Sequence, residues 1–334
     1  MRKDAKLTSE DKRDMATITR MVESKVDIGM YYDLYTPERL TEVLKKLKNN
    51  NYRVFMGSND FEDTLVSTKE YIKQMGYHYN IQNGGNKLVL CVTSDWHFGS
   101  KLDEPIYAEK TWDFCRERNV RYVLDLGDLA EGSEYVIDKA KNEDEYKIER
   151  TIESQVNYLQ KFVPYDKDIV HILLYGNHDL YSSNGISLDI IRELNKVYTR
   201  NDIKVCGIEN CFLPINQDYL HLLHYSFPDF IKPYFSSLAT AEELEIILAG
   251  HTHVSKSYSG LNYECECVPA LSKVDHHLDG LEFFPGFLML TITFDSNMKM
   301  NNIYIEKYRY YSIHQRQACI HSRDIEVVRR LTNK

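Results

Sequence analysis

The sequence has no long hydrophobic run. Hydrophobic residues make up 43% of its 334 residues and charged residues 27%, which is ordinary for a globular protein in water. Its apolar stretches are strand-sized and fall short of the roughly 20 residues that a membrane-spanning helix needs. No apolar signal segment follows the charged residues 1–6. These absences predict a cytoplasmic protein without a membrane partner. The length suits one large domain or one domain with an appendage.

Cysteine is infrequent and follows no spacing typical of a disulfide framework. The seven cysteines are odd in number and irregularly spaced, and several lie inside apolar runs, which favours reduced thiols in the core. Alternation along a strand would place Cys265 and Cys267 on one face, as a pair that can bind a soft metal. No second cysteine pair accompanies them, so we interpret them as buried strand residues.

The chain also lacks an excess of positive charge. Its net charge is −9, which excludes a polyanion-binding surface over the body of the protein. Residues 300–334 nevertheless carry seven lysines and arginines against three acids. This segment is the first candidate for contact with nucleic acid, and a solvated charged tail is the alternative. The sequence has no internal repeat and no low-complexity tract.

Residues 1–86 predict a small helical N-terminal region. Helices are expected at about 9–24 and 60–75, and another begins at Thr36 as N-cap and Pro37 at the first helical position. The polar residues 82–86 form a linker. Three helices before a linker permit a helix-turn-helix interpretation. The alternative is a helical appendage that packs on the catalytic domain, on a partner protein or on a second copy in a homodimer.

Residues 87–310 predict one catalytic domain of the α/β class, followed by a basic C-terminal tail at 311–334. Apolar runs that read as strands alternate with helical segments up to about residue 253, and strands predominate afterwards. A clear helix has Ile148, Ile152, Val156, Leu159 and Val163 on one face. The predicted strands are 88–93, 122–126, 169–174, 203–205, 219–223, 245–248, 263–268, 287–294 and 303–310.

Five short polar clusters follow strand-like runs in the middle of the chain. They are Asp95-Trp96-His97, Gly127-Asp128, Gly176-Asn177-His178-Asp179, His224 and Gly250-His251-Thr252-His253. Open α/β sheets bind their ligands at the carboxyl ends of strands. A single His/Asp cluster means little, but five in succession at strand ends predict one shared site.

The residue types in these clusters are typical of a site for two divalent metal ions. Mixed nitrogen and oxygen ligands suit Mn²⁺, which we expect first, and also Fe²⁺ or Zn²⁺. Two such ions roughly 3.5–4 Å apart would clamp a phosphoryl group and lower the pKa of a bridging water, giving a hydroxide nucleophile at neutral pH. Asp128 can bridge both ions. His178 can act as general acid, and Asp179 can orient or pair with its imidazole.

The order D-x-H, G-D, G-N-H-D, H and G-H-T-H resembles that of the calcineurin-like metallophosphoesterase superfamily. The resemblance extends over residues 95–253 and implies a four-layer αββα sandwich of two mixed sheets, with the metals at one edge. It implies a first metal site of Asp95, His97, Asp128 and His253. It implies a second metal site of Asp128, Asn177, His224 and His251, with His178 as the catalytic acid.

The chain departs from the family pattern at two places. Tyr225 follows His224 where the family usually has glycine, which leaves His221 as a rival ligand inside a strand run. We prefer His224. Glu131 stands where many members carry a second aspartate, and we expect it to support the site by hydrogen bonding.

Other polar residues near the motifs have simpler interpretations. We expect His171 and His221 to be core histidines within strands. Asp125 is expected to cap the Gly127-Asp128 turn, and His276 and His277 to lie in a surface loop rather than at the substrate.

The segments after the second and third motifs lack the arginines of the related Ser/Thr protein phosphatases. Residues 127–132 read GDLAEG and residues 176–181 read GNHDLY. Without an arginine clamp for a dianion, a phosphodiester is favoured over a phosphoprotein. DNA or RNA, with some of the 25 tyrosines as stacking surfaces, and small cyclic or linear nucleotides remain open as substrates. The alternatives are a phosphomonoesterase and a catalytically silent scaffold subunit.

Overall fold

The computed structural model describes residues 7–50, 52–57, 64–132, 151–183, 186–225, 244–273, 284–311 and 317–327. Within these ranges, no helix is both long enough and apolar enough to cross a membrane. The expectations for His276 and His277 lie outside the described residues.

Helices and strands account for most of the described chain. The helices are α1 (Ser9–Glu23), α2 (Ile28–Leu34), α3 (Pro37–Asn49), α4 (Thr68–Met75), α5 (Pro105–Glu117), α6 (Ile152–Phe162) and α7 (Ile190–Val197). The strands are β1 (Val54–Met56), β2 (Leu65–Ser67), β3 (Lys87–Thr93), β4 (Tyr122–Asp125), β5 (Val170–Tyr175), β6 (Leu180–Ser183), β7 (Ile186–Asp189), β8 (Ile203–Ile208), β9 (Asn210–Ile215), β10 (Asp218–Leu223), β11 (Glu245–Ala249), β12 (Lys256–Ser259), β13 (Tyr263–Cys267), β14 (Gly286–Phe294), β15 (Met300–Arg309) and β16 (Ala318–Glu326).

The chain divides into two compact units. The first comprises Met1–Tyr77 together with Leu180–Asp189, and the second comprises His78–Asp179 and Ile190–Lys334. The first unit therefore takes in a hairpin, β6–β7, that follows the Gly176–Asp179 motif in sequence.

The first unit combines helices with a four-stranded sheet of order β2-β1-β7-β6. Helix α3 begins as the sequence predicts, because the Thr36 side chain accepts a hydrogen bond from the Arg39 amide and Pro37 occupies the first turn. The sheet was not anticipated in a region predicted to be helical. Its strands β1 and β2 have only three residues each, too few to show an alternating pattern, and its other two strands come from a distant part of the chain.

Charged side chains link α1 to α3 in what we call the N-terminal ion-pair cluster, formed by Asp11, Asp14, Arg39, Glu42 and Lys46. The Arg39 Nη2 atom lies 3.0 Å from Asp11 Oδ1 and 2.8 Å from Asp14 Oδ2. The Lys46 Nζ atom lies 2.7 Å from Asp11 Oδ1. Every carboxylate in this cluster thus faces arginine or lysine.

The second unit has a twelve-stranded mixed sheet of order β12-β13-β11-β10-β9-β8-β5-β4-β3-β14-β15-β16. Strands β3, β4, β5 and β8 are parallel neighbours, and β14 joins β3 antiparallel. All nine strands predicted for residues 87–310 are present. Strands β9, β12 and β16 were not predicted.

The sheet folds on itself, so that side chains from both halves share one core. Its members include Leu90, Leu174, Leu248, Leu290, Ile305 and Ile325. At the ends of the sheet, Lys307 Nζ on β15 lies 2.8 Å from Glu266 Oε2 on β13, and Arg323 on β16 pairs with Glu264 at 3.1 Å. The alternate face of β14 packs against α5, where the Phe114 and Phe287 rings lie 5.5 Å apart. The mixed α/β fold is therefore confirmed, with its two sheet layers joined in a single strand order.

The carboxyl end of the chain differs from the tail that the sequence suggested. Residues of β16 pair antiparallel with β15, from Asn302 opposite Glu326 to Arg309 opposite Ala318. Ile325 is the buried residue of this strand. An edge strand with so little buried surface has almost no hydrophobic pattern, and this is why the sequence did not reveal it.

Candidate metal centre

The loops after β3 and β4 carry the first two motifs and stay paired beyond the strand ends. Backbone hydrogen bonds run from Asp95 N to Gly127 O and from His97 N to Asp128 O, both at 2.9 Å. Phe98 N follows with a bond to Leu129 O at 3.0 Å. This ladder fixes Asp95, His97 and Asp128 on a rigid backbone at the carboxyl edge of the sheet.

Five of the motif residues adopt left-handed backbone conformations. The φ angles are 53° for Asp95, 48° for His97, 56° for Asp128, 76° for His251 and 59° for His253. Such conformations are uncommon for residues with a Cβ atom and cost about 1–3 kcal/mol each. Their concentration in one place is typical of a functional site whose side chains are aimed at a common point.

Two glycines allow the motif loops to approach each other. Gly127 has a φ of 101°, and a Cβ atom there would lie 2.5 Å from the Gly176 amide nitrogen. A Cβ atom on Gly176 would lie 2.5 Å from the Asp128 amide nitrogen. Glycine is therefore required at both positions, before Asp128 and before Asn177, by the packing of one loop on the other.

Asp95, His97 and His253 form one group of potential metal ligands. The His253 Nε2 atom lies 3.2 Å from Asp95 Oδ1 and 3.0 Å from His97 Nε2. The other Asp95 oxygen, Oδ2, accepts hydrogen bonds from Ser94 Oγ at 2.6 Å and from the His251 amide at 3.0 Å. The carboxylate is thus oriented with Oδ1 toward the two imidazoles.

Asp128, His224 and His251 form a second group. The His224 Nε2 atom lies 3.0 Å from Asp128 Oδ2. Its Nδ1 atom is 2.5 Å from the Leu126 carbonyl oxygen, which accepts the Nδ1 proton and leaves Nε2 to face the carboxylate. Asp128 Oδ2 also lies 3.8 Å from His97 Nε2, so the Asp128 carboxylate faces both groups.

Among the described residues, three buried side-chain atoms of the motif loops have no hydrogen-bond partner of good geometry. They are Asp95 Oδ1, His224 Nε2 and the side-chain amide nitrogen of Asn177. Rotation of the Asn177 amide by half a turn exchanges its nitrogen for its oxygen, a choice fixed only by the surrounding contacts. Buried polar atoms without partners are costly. Asp95 and His224 each belong to one of the two groups of potential ligands, where a cation would satisfy these atoms. The residues present therefore fit divalent metal ions.

The family model of the calcineurin-like phosphoesterases matches residues 88–255. The chain belongs to this family. Its members act on phosphoesters with divalent metal ions, and the expected ligand residues all lie within the matched segment. We call Asp95, His97, Asp128, Asn177, His224, His251 and His253 the metal-ligand cluster.

Solved structures with a similar fold include three from different organisms. A conserved uncharacterized protein of Streptococcus pneumoniae TIGR4 is 13% identical, with 73% of this chain and 99% of that chain covered and a TM-score of 0.39. Vacuolar protein sorting 29 of Cryptosporidium parvum is 12% identical, with 72% and 100% covered and a TM-score of 0.41. The phosphoesterase YfcE of E. coli is 13% identical, with 70% and 100% covered and a TM-score of 0.36. Comparison with curated proteins gives no match.

His178 lies beside the metal-ligand cluster of this family member. Its ring Nδ1 atom is 2.6 Å from the Glu131 carbonyl oxygen, and its Nε2 atom is 4.0 Å from Asp128 Oδ2. Burial lowers the pKa of His178. The His178 ring also belongs to a third group with metal-ligating atoms, together with His97 and Asp128.

Asp179 has a different set of contacts from the one expected. Its Oδ2 atom accepts hydrogen bonds from the Asp128 and Gly176 amides, both at 2.8 Å, and its Oδ1 atom accepts one from the Ala130 amide at 3.0 Å. Burial and the nearby Asp128 carboxylate raise the pKa of Asp179 to about 8. The expected pairing with the His178 imidazole is absent from these described contacts, because both carboxylate oxygens bind the two loop backbones.

Glu131 supports the site as the sequence suggested. Its Oε2 atom lies 2.8 Å from His97 Nδ1. Burial acts to raise the pKa of Glu131, but the hydrogen bond and charge of His97 outweigh it and hold that pKa below its ordinary value.

The histidines assigned to strands lie away from the metal-ligand cluster. His221 Nε2 is 2.9 Å from Asn210 Oδ1, and the ring stacks on Phe212, so His224 is the histidine of this region that the structure brings to Asp128. His171 Nε2 lies 3.2 Å from Asp125 Oδ2. Asp125 accepts a hydrogen bond from the Gly127 amide, which confirms its expected turn-capping role.

Some supporting residues were not found from the sequence. The Ser272 hydroxyl donates to the Asp95 carbonyl at 2.9 Å, and the Tyr225 hydroxyl donates to Glu209 Oε2 at 2.7 Å. The Glu209 carbonyl in turn accepts from the His224 amide at 2.9 Å. No local pattern marks such residues, because their role depends on which loops meet. Among the described residues, Cys265 and Cys267 are in none of the potential metal-ligand groups.

Proposed function

We propose that the protein is a two-metal phosphodiesterase that acts on nucleic acid or nucleotides. The observation that supports this proposal is the position of the Asp128 carboxylate, which faces two groups of ligand atoms at the same edge of the sheet. A carboxylate has two oxygens and can serve two cations at once. A single metal would leave half of the cluster unused.

The metals would be held by seven side chains. In this proposal Asp95, His97, Asp128 and His253 hold one ion, and Asp128, Asn177, His224 and His251 hold the other. The donor set of imidazoles, carboxylates and one amide fits Mn²⁺, with Fe²⁺ and Zn²⁺ also suited to it. When bound, the two ions would polarise the phosphoryl group and lower the pKa of water in the site.

The charge around the cluster favours a diester. Within the described part of the chain, the ion pairs of Asp95, Asp128 and Glu131 are all with histidines. A phosphomonoester carries two negative charges, and its recognition commonly uses an arginine clamp. The segments GDLAEG and GNHDLY supply none. A diester carries one charge, which two metal ions can balance without that clamp.

His178 is proposed as the proton donor to the leaving group. The Glu131 carbonyl accepts the Nδ1 proton, so the protonated ring presents Nε2–H on the side of Asp128, where substrate would bind. The lowered pKa of His178 makes its imidazolium a stronger acid. Asp179 would contribute indirectly, because its contacts hold the Asp128 and Gly176 loops together.

Two cations in the described part of the basic C-terminal segment are engaged within the sheet. Lys307 lies 2.8 Å from Glu266, and Arg323 pairs with both Glu264 and Glu266. These two cations neutralise acids on β13 and are therefore not free to bind a phosphate backbone.

The test is Mn²⁺-dependent hydrolysis of an aryl phosphodiester, bis(p-nitrophenyl) phosphate, beside its monoester, with the Asp128→Ala variant as blank. Preference for the diester supports the proposal and directs the next assay to DNA, RNA and cyclic nucleotides. Preference for the monoester contradicts it and indicates a phosphatase. Metal-free protein without activity on either ester would indicate a scaffold subunit.

A further inference from the structure

One residue contacts two functional imidazoles through two different groups. The Glu131 side-chain Oε2 atom lies 2.8 Å from His97 Nδ1, and the Glu131 main-chain oxygen lies 2.6 Å from His178 Nδ1. The Nε2 atoms of the same rings lie 3.8 Å and 4.0 Å from Asp128 Oδ2. Each ring thus has an oxygen of Glu131 at its Nδ1 atom and the Asp128 carboxylate on the side of its Nε2 atom.

Glu131 is itself held in place on both sides. Its amide donates to the Phe98 carbonyl at 3.0 Å, which extends the ladder between the first two motif loops. The amide of the next residue, Gly132, donates a hydrogen bond to Gln155 Oε1 at 3.2 Å. Gln155 is buried on α6, so an external helix fixes the backbone from which both Glu131 contacts are made.

An oxygen acceptor at Nδ1 decides which face of a neutral imidazole is available. The proton resides on Nδ1, and the lone pair is then on Nε2. A histidine that ligates a metal commonly has its second nitrogen fixed in this manner by a carboxylate or a carbonyl. Glu131 supplies one acceptor of each kind, the carboxylate to His97 and the carbonyl to His178.

We propose that Glu131 is the positioning residue for both rings, with its side chain orienting the metal ligand His97 and its main chain orienting His178. This inference rests on the proposed function, in which His97 binds metal and His178 donates a proton. The two contacts are chemically separable, because a side-chain substitution removes the contact to His97 and leaves the carbonyl in place for His178.

The first test is titration of the metal-free full chain with Mn²⁺ by calorimetry. Glu131→Ala is expected to weaken one of the two binding events by about 10–100-fold, the range for loss of a group that orients a metal ligand. The other binding event is expected to retain its affinity. Unchanged affinity at both sites in a folded Glu131→Ala protein would overturn the proposal.

The second test reads the rings directly by ¹⁵N NMR of the histidine side chains in the metal-free protein. In Glu131→Ala the Nδ1–H signal of His97 is expected to lose the chemical shift of a hydrogen-bonded proton, whereas that of His178 keeps it. A purely structural role of Glu131 would disturb both rings or neither, and either result would contradict the assignment.

Two conservative variants separate position from charge. Glu131→Gln keeps an oxygen acceptor at the same reach without the charge, and Glu131→Asp keeps the charge but is one methylene shorter. If Glu131 acts by positioning, Glu131→Gln should preserve the hydrogen-bonded Nδ1–H signal of His97 and the metal affinity better than Glu131→Asp does. The reverse order would show that charge alone matters and would refute the proposal. These variants also serve if Glu131→Ala does not fold.

Asp103→Asn is the matched control. Asp103 is a buried carboxylate of the preceding loop that accepts a hydrogen bond from the Gly99 amide at 2.7 Å. Its described hydrogen bonds do not include the two histidines, so the metal affinity and both Nδ1–H signals should stay close to those of the unsubstituted protein. Neither readout uses turnover, so both tests can be interpreted without catalytic activity. Absence of phosphodiester hydrolysis in the unsubstituted protein would therefore refute the proposed function without deciding the role of Glu131.

Discussion

Two clusters of buried or half-buried carboxylates in this molecule are balanced by different kinds of cation. In the N-terminal ion-pair cluster, Asp11 and Asp14 face Arg39 and Lys46 at 2.7–3.0 Å. Arginine and lysine keep their charge throughout the neutral pH range. The carboxylates of this cluster are therefore paired permanently and need nothing further.

In the metal-ligand cluster, the ion pairs of the carboxylates within the described residues are all with histidines. The charge of the Asp128 carboxylate outweighs the effect of burial and raises the pKa of His224 to about 10. Protonated histidine balances the charge in the metal-free protein, but it can release its proton to solvent when a metal ion binds in its place. The comparison indicates that a titratable cation beside a buried carboxylate marks a place where a metal can replace a proton.

The largest effect is expected for Asp128→Ala. This change removes the one carboxylate that faces both ligand groups, so both metals should be lost and Mn²⁺-dependent hydrolysis should fall to background. Metal content by elemental analysis and activity on the aryl diester check this. Asp11→Asn is the comparison from the other cluster and should keep two metals per chain. Full metal content in Asp128→Ala would contradict the distinction between the two clusters.

His178→Ala is expected to separate chemistry from metal binding. Both metals should remain, while turnover of substrates with poor leaving groups should fall by about 10²–10⁴-fold, the usual contribution of a general acid. A nitrophenyl leaving group needs little protonation and should be affected much less. Loss of a metal in this variant would assign His178 to the ligands instead, as its place beside His97 and Asp128 permits.

Metal binding at the metal-ligand cluster should depend steeply on pH. The N-terminal ion-pair cluster contains no histidine and should not contribute to this dependence. Because the raised pKa keeps His224 protonated at neutral pH, metal uptake must release that proton. Affinity for Mn²⁺ should then increase with pH by about tenfold per unit for each proton released. Calorimetry in two buffers of different ionisation heat measures the protons. Uptake without proton release would contradict this account.

The smallest effect is expected for Asp11→Asn, which should lower the thermal unfolding midpoint slightly at neutral pH. The hydrogen bond to Lys46 is the main reason that the pKa of Asp11 lies below its ordinary value of 3.8. A lowered pKa means that the stabilisation is present above the ordinary value and is lost as the pH falls through the folded value. The difference in midpoint between the variant and the unsubstituted protein should therefore shrink in acid. A constant difference would indicate that charge pairing is not its source.

Short-range patterns in the sequence were sufficient to predict the mixed α/β fold and the histidines and aspartates that the structure groups as potential metal ligands. The nine predicted strands form where the sequence has apolar runs of strand length, and such a run can be recognised from the local sequence alone. Each ligand residue follows such a run, so its arrival at the carboxyl edge was predictable. His224 was preferred to His221, and the structure brings His224 to Asp128 at 3.0 Å.

Patterns that involve little buried surface or distant partners were not predictable. Strand β16 has almost no buried residues, and β6 and β7 belong to the first unit although they follow the third motif in sequence. Asp179 was expected at the His178 imidazole and instead binds three loop amides. A carboxylate can satisfy an imidazole or a backbone amide equally well, and only the folded loops determine which is within reach.

The sequence by itself determined which elements of the family are present: the strands, the motifs at their ends and a donor set suited to divalent metals. The tertiary structure decided how those donors are aimed. The left-handed φ angles at five motif residues and the split contacts of Glu131 arise where the motif loops pack against one another. Composition and spacing specify what is buried and where a chain leaves a strand, whereas the direction of a side chain depends on neighbours that are distant in sequence.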